Sequence, residues 1–222
     1  MISIAVDGPG GAGKSSLSKE LAKRFDFVYV DTGAIYRTVG LYCSRNGIDC
    51  KNEEAVRSIY PELNIEIKYD DSGVQKMFLN GEDVSSQIRL PENSICASDV
   101  SAHPSCREFL LDMQRHFAKV YNVIMDGRDI GTVVLPDADV KIYLTASAAV
   151  RAERRLKELL EKGIEADFES TLKDIEYRDY QDTHRETAPL RQAEDAVLVD
   201  TSDLNFEQSL DLLCSIIIDK LA

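Results

Sequence analysis

Gly8-Pro9-Gly10-Gly11-Ala12-Gly13-Lys14-Ser15 follows the apolar, β-branched run Ile2 to Asp7 and leads into Lys14 to Arg24, where Leu17 and Leu21 fall one helical turn apart. The octet fits G-x-x-x-x-G-K-[ST] and lies between a predicted strand and a predicted helix, the setting that motif requires. Glycines let successive backbone N–H groups turn inward around phosphate oxygens, and the helix that follows adds the positive end of its dipole. Gly8, Gly10, Gly11, Ala12, Gly13, Lys14, Ser15 and Ser16 therefore form the candidate triphosphate cradle. Lys14 would reach the β- and γ-phosphates, and the Ser15 hydroxyl would ligate Mg²⁺. The plain alternative is a glycine-rich turn that binds nothing.

Outward from the cradle the alternation continues. Asn122 to Met125 and Val140 to Leu144 read as strands, and Ala148 to Leu160 as the helix after the second of them. This pattern predicts an α/β fold, a mostly parallel sheet of the P-loop NTPase kind flanked by helices. Residues from about Asn64 to Val84 break it: Ile65, Ile67 and Tyr69 alternate before Asp70-Asp71-Ser72-Gly73, and Met77 to Leu79 precede Asn80-Gly81. A small antiparallel β insertion is expected there. Phe206, Leu210, Leu213, Cys214, Ile217, Ile218 and Leu221 share one face of a closing helix.

The chain has 222 residues, a length suited to one α/β unit with a small insertion. Its net charge of -13 argues against broad binding to nucleic acid, so an anionic ligand needs a local cationic pocket. No apolar run approaches the ~20 residues of a membrane span. The first strand-like run begins directly after Met1, which leaves no room for a leader and predicts a cytoplasmic protein. The 5 cysteines are scattered with no C-x-x-C pair, the pattern of reduced thiols. His103, His116 and His184 show no metal-ligand spacing, so no metal beyond Mg²⁺ is expected.

A phosphate cradle alone does not name a reaction. The guanine-reading N-K-x-D is absent, which favours a kinase over a regulatory GTPase. Arg37, Arg128, Arg151, Arg154, Arg155, Arg178 and Arg185 fall near predicted strand ends or on helices. Arg151, Arg154 and Arg155 share a helix face by spacing, as do Arg178, Asp182 and Arg185. A solvated face or a surface ion-pair ladder would look the same. Clustered guanidinium groups also suit a site that brings one phosphate against another. Asp126-Gly127-Arg128-Asp129-Ile130-Gly131-Thr132 emerges at a strand's carboxyl end, where open α/β sheets bind ligands.

With those residues in view, the chain resembles the bacterial-type cytidylate kinases, P-loop nucleoside monophosphate kinases. The likeness runs through Gly8 to Ser16, Asp31-Thr32-Gly33-Ala34-Ile35-Tyr36-Arg37, Asn80-Gly81-Glu82-Asp83-Val84-Ser85, Asp126 to Thr132, Arg151 to Arg155, and Arg178 through Ala188-Pro189-Leu190. It implies transfer of the γ-phosphate of ATP to CMP or dCMP by a monomer. It also implies a core of 1–60 and 100–222, a monophosphate-binding insertion at about 61–99, and a helical lid at about 151–167. Carried over by position, Lys14, Arg128, Arg151, Arg155 and Arg185 would be catalytic. Arg37, Arg128 and Arg185 would hold the acceptor phosphate, Arg178 and Asp182 would meet the sugar, and Thr32 and Tyr36 would line the acceptor site. Ser98, Arg107 and Asp129 would read the base. Ser15-Ser16 stands where many relatives carry Ser-Thr or Gly-Thr, which leaves either hydroxyl available to the metal.

Cytosine presents an amine donor beside two acceptors. Asp129 and Ser98 can accept and Arg107 can donate, whereas uracil would turn a carbonyl toward the carboxylate. Ser98 bonding its own helix backbone and Arg107 facing solvent stay open as plainer readings. A P-loop kinase for a hydroxylated metabolite such as shikimate or gluconate is the rival. It needs a carboxylate base, and Asp31 or Asp126 could serve. A nonenzymatic nucleotide-dependent regulator is the third reading.

Overall fold

In the computed structural model the described residues are 1–90, 92–161 and 163–222. Pro91, within the expected insertion, and Lys162, within the expected lid, lie outside them. Five strands form one parallel sheet: β1 (Ser3–Asp7), β2 (Val28–Asp31), β6 (Val123–Gly127), β7 (Val140–Thr145) and β8 (Val197–Asp200). Their order is β2-β6-β1-β7-β8. The central β1 is covered on both faces, which explains its continuous rather than alternating apolar run. On one face Ile4, Val6, Ile124, Ile142 and Leu144 pack with Leu17 and Leu21 of α1 (Lys14–Phe25) and with Leu210, Leu213 and Ile217 of α8 (Phe206–Leu221). On the other, Ala5, Val30, Val123 and Met125 pack with Ile130 and Val134.

A three-stranded antiparallel sheet stands beside the main one. It contains β3 (Ile65–Tyr69), β4 (Gln75–Leu79) and β5 (Glu82–Asp83), in sequence order. Its second hairpin turns at Asn80 and Gly81, whose φ values of 51° and 87° are those an Asn-Gly turn adopts. Ile65, Met77 and Leu79 share a core with Ile35 and Val39 of α2 (Thr32–Arg45) and Val100 of α4 (Glu92–Ala102). Cys106 and Leu110 of α5 (Pro104–Val120), which packs against the short α3 (Glu53–Ser58), complete that core. α6 (Ala148–Glu161), which covers most of the expected lid, packs against α7 (Phe168–His184), which begins just after it.

The closing helix forms, but its expected face is too wide. Leu210, Leu213 and Ile217 are buried, while Phe206 and Ile218 are 46% and 57% exposed. α8 lies against α1 and β7, which cover only the narrow stripe between them. All five cysteines are free thiols. Among the described residues, no helix is long and apolar enough to cross a membrane.

Candidate active site

The cradle forms where β1 ends. Gly8 has φ 146°, and a Cβ added there would come within 1.9 Å of the Leu144 carbonyl oxygen, so no side chain fits. Gly13, at φ 90°, opens α1 without a side-chain cap, leaving that helix end's N–H groups directed to the loop. Lys14 is buried, and its Nζ donates to Pro9 O at 2.8 Å. Burial, and after it the neighbouring Arg128, push the Lys14 ammonium down to about 7. Bound phosphates would reverse that shift.

Beside it, Ser15 Oγ donates to Asp126 Oδ2 and Tyr29 Oη to Asp126 Oδ1, each at 2.8 Å. Thr32 Oγ1 donates to Asp126 O at the same distance. Burial and then Asp31 raise the Asp126 carboxyl above its ordinary value, opposed by Lys14 and the two hydroxyl donors. A hydroxyl and a carboxylate oxygen beside a triphosphate cradle form the hard-oxygen set that suits Mg²⁺, which takes few protein ligands and completes its shell with water and phosphate. Ser16 is exposed at the cleft wall.

A cleft of about 910 Å³ runs from this cradle to α4 and is lined by Lys14, Arg37, Arg107, Arg128, Arg178 and Arg185, with Thr32, Tyr36, Ser98, Asp129 and Asp182. An acidic chain has thus gathered a group of its cations at one place. Arg128 Nε donates to Asp182 Oδ2 at 2.6 Å. Guanidinium atoms of Arg128 and Arg178 would lie 3.5 and 3.8 Å from a Cβ at Gly10, so both hang over the phosphate loop. Burial, with Arg128 next, lowers the Arg178 guanidinium from its usual range. Arg37 pairs with Asp31 at 3.0 Å and Arg185 lies 3.5 Å from Asp129, yet Arg37 Nε and Arg185 Nη2 are buried with no hydrogen-bond partner among the described residues. Buried donors are nearly always satisfied, and these two suit an anionic ligand.

At the far end Arg107 donates to Ser101 O at 3.0 Å and pairs with Asp129, and its guanidinium stands 5.4 Å from the Tyr36 ring centre. Arg107 does not face solvent: its side chain is 8% exposed. Ser98 lines the cleft, and its backbone O accepts from Ser101 Oγ at 2.8 Å.

The lid arginines do not act as one face. Arg151 is buried and engaged throughout, donating to Ala146 O at 2.8 Å, Gly10 O at 3.0 Å and both Asp179 oxygens at 3.0 and 2.5 Å. It braces the cradle from behind through Gly10 O and Asp179. Arg154 donates to Thr201 O at 2.7 Å, between β8 and α8. Arg155 lines the cleft and pairs with Glu158 at 2.9 Å. Sequence reasoning missed Arg89, which also lines the cleft and reaches Asp31 at 3.4 Å with its side chain 47% exposed. It sits on a turn with no periodic signal. Asp126, a candidate base by sequence, instead accepts from the Ser15 hydroxyl. Asp31 caps α2 through Ala34 N and is held below the usual carboxylate range, its burial overcome by Arg37 and Arg89.

A family model described as Cytidylate kinase matches residues 4–219. The chain belongs to the cytidylate kinase family. A cytidylate kinase of Lactobacillus johnsonii is 45% identical over 220 residues, covering 99% of this chain and 95% of that one. One of Caldicellulosiruptor bescii is 50% identical over 209 residues, covering 94% and 92%. Among solved structures, an uncharacterized protein from Eubacterium ventriosum aligns with a TM-score of 0.52 at 12% identity, covering 98% of each chain. That likeness concerns the fold alone.

Proposed function

We propose that this cytidylate kinase family member transfers the γ-phosphate of ATP to CMP or dCMP, giving ADP and the cytidine diphosphate. The observation that carries the acceptor is the buried Arg107–Asp129 pair, a donor and acceptor set that lines the cationic cleft together with Ser98. Cytosine's amine would donate to Asp129 while Arg107 and Ser98 meet its remaining edge. Uracil would set a carbonyl against a carboxylate, a mismatch polar sites reject strongly.

ATP would lie with its phosphates along Gly8 to Ser16 and Lys14 on the β- and γ-phosphates. Ser15, backed by Asp126, would hold Mg²⁺, which neutralises charge on the transferring phosphoryl. Ser16, exposed and not bonded to Asp126, is less well placed for it. Arg37, Arg128 and Arg185, joined by Arg89, would clamp the acceptor phosphate. Arg178 and Asp182 would meet the sugar, with Thr32 and Tyr36 along its wall. The phosphate monoester is already anionic at neutral pH, so no general base is needed and catalysis is alignment plus charge neutralisation. The helical segment at about 151–167 would serve as the lid, with Arg155 swinging toward the phosphates and Arg151 keeping the cradle braced. A monomer acting in the cytoplasm completes the reading.

A kinase for alcohols is disfavoured because Asp31 is occupied as a helix cap and ion-pair partner and Asp126 by Ser15 and Tyr29. The test is ADP release across acceptors. CMP and dCMP are expected to exceed UMP in kcat/KM by about 10²-fold or more, with no release above background for shikimate or gluconate. Faster turnover of either hydroxy acid would overturn the assignment. With CMP, KM is expected to rise as pH falls below ~6, where the acceptor phosphate loses its second charge. A KM flat between pH 5 and 7.5 would count against a dianion clamp.

A further inference from the structure

Tyr29 is buried among core residues that a phenylalanine would fill equally well, so its hydroxyl needs a separate reason. Burying a hydroxyl is costly unless it is bonded. The parallel register pairs Tyr29 with Ile124 and Asp31 with Asp126. Tyr29 therefore lies on the same sheet face as Asp126 and two residues behind it, roughly 6.6 Å along the strand. A phenol spans that gap with an apolar ring along Ile124 and a polar tip at the carboxylate. The tip arrives at 2.8 Å from Asp126 Oδ1.

The ring and its strand are held from other sides as well. Lys19 Nζ stands 5.6 Å from its centroid, and Tyr69 Oη, from the antiparallel sheet, donates to Tyr29 O at 2.8 Å. Among the described residues Asp126 Oδ1 has no other hydrogen-bond donor, while Oδ2 takes Ser15. A carboxylate turns easily about its last torsion, which has a broad, roughly two-fold profile. With Oδ1 released, nothing on the sheet would keep Oδ2 aimed at Ser15.

We propose that Tyr29 is a positioning residue for the metal side of the site, its hydroxyl orienting Asp126 so that one carboxylate oxygen and the Ser15 hydroxyl are presented together to nucleotide-bound Mg²⁺. This rests on the reading of Ser15 and Asp126 as the Mg²⁺ side of an ATP site and is independent of which acceptor is used. Partners one bond removed from a metal commonly govern its affinity by 10- to 100-fold.

The test uses Tyr29→Phe, which keeps the ring and deletes the hydroxyl, with Mn²⁺ as the probe. Mn²⁺ binding to the protein–ADP complex, followed by electron paramagnetic resonance, is expected to weaken about 10-fold. ADP affinity in EDTA, measured by calorimetry, is expected to stay within twofold of the parent. Unchanged Mn²⁺ affinity would overturn the proposal. So would a matching loss of metal-free ADP affinity, because the hydroxyl would then be shaping the phosphate loop. A second arm guards against a folding defect: in an Asp126→Asn background, Tyr29→Phe should change Mn²⁺ affinity less than twofold. A further 10-fold loss there would show that the hydroxyl does not act through Asp126. If wild type binds Mn²⁺–ADP yet fails to phosphorylate CMP, the acceptor assignment fails and the Tyr29 proposal is still decided by its own measurements.

Discussion

Replacing Lys14 by methionine is expected to lower turnover with CMP by about 10³-fold or more, the scale set by losing a charge aimed at a transferring phosphoryl group. The same change is expected to stabilise the ligand-free protein. Lys14 titrates near 7 in the fold and near 10.5 when unfolded, so the unfolded chain takes up its proton first as pH falls. Stability contributed by this group is therefore present above the unfolded value and is lost as pH falls through 7. At pH 6 the ammonium is mostly charged in its buried setting, and methionine of similar shape removes that cost. A melting temperature several degrees above wild type at pH 6, converging toward it at pH 10, is the expected result. Scanning calorimetry at the two values checks it, and a variant less stable than wild type at pH 6 would contradict the account of Lys14 as a strained, ligand-awaiting cation. Nucleotide phosphates relieve the same strain, so binding and stability oppose each other at this residue.

Asp129→Ala is expected to reduce kcat/KM for CMP by about 10²- to 10³-fold while leaving ATP affinity within threefold. Its preference for CMP over UMP should collapse, which a purely structural loss would not cause. The variant should also be less stable. Arg107 and Arg185 both face Asp129, and breaking a buried pair while keeping one charge costs about 3–5 kcal/mol. For a chain of this size that corresponds to a fall of roughly 10 °C in melting temperature. Acceptor kinetics with CMP and UMP, beside ATP calorimetry, separate the two effects. Equal losses in ATP and CMP binding with the base preference intact would remove Asp129 from base recognition.

The cradle was readable because its meaning is local: glycines, a lysine and a hydroxyl in one octet between a strand and a helix. Asn80-Gly81 announced its hairpin for the same reason, as two residues that adopt positive φ readily. The arginines were readable as residue types but not as partners. Arg107 finds Asp129 across 22 positions and Arg151 finds Asp179 across 28, distances over which helix spacing says nothing. Spacing grouped Arg151, Arg154 and Arg155 as one face, yet packing sends them to Asp179, Thr201 and Glu158. Arg89 was silent because the turn presenting it is anchored by Arg45, Glu82 and the buried Ile88, none of which is periodic with it. The closing helix shows the converse limit. Periodicity marks every apolar side chain on a face, whereas burial depends on how much of that face a neighbour covers.

The central claim is that one cleft neutralises two nucleotide anions at once, and a single bisubstrate ligand tests it. Adenosine and cytidine joined through five phosphates should bind about 100-fold more tightly than ATP or CMP alone, with affinity falling steeply as salt rises. Calorimetry at two salt concentrations gives both quantities. An affinity no better than that of ATP would mean that the cations gathered around Gly10, Asp31 and Asp129 do not serve a common pair of substrates.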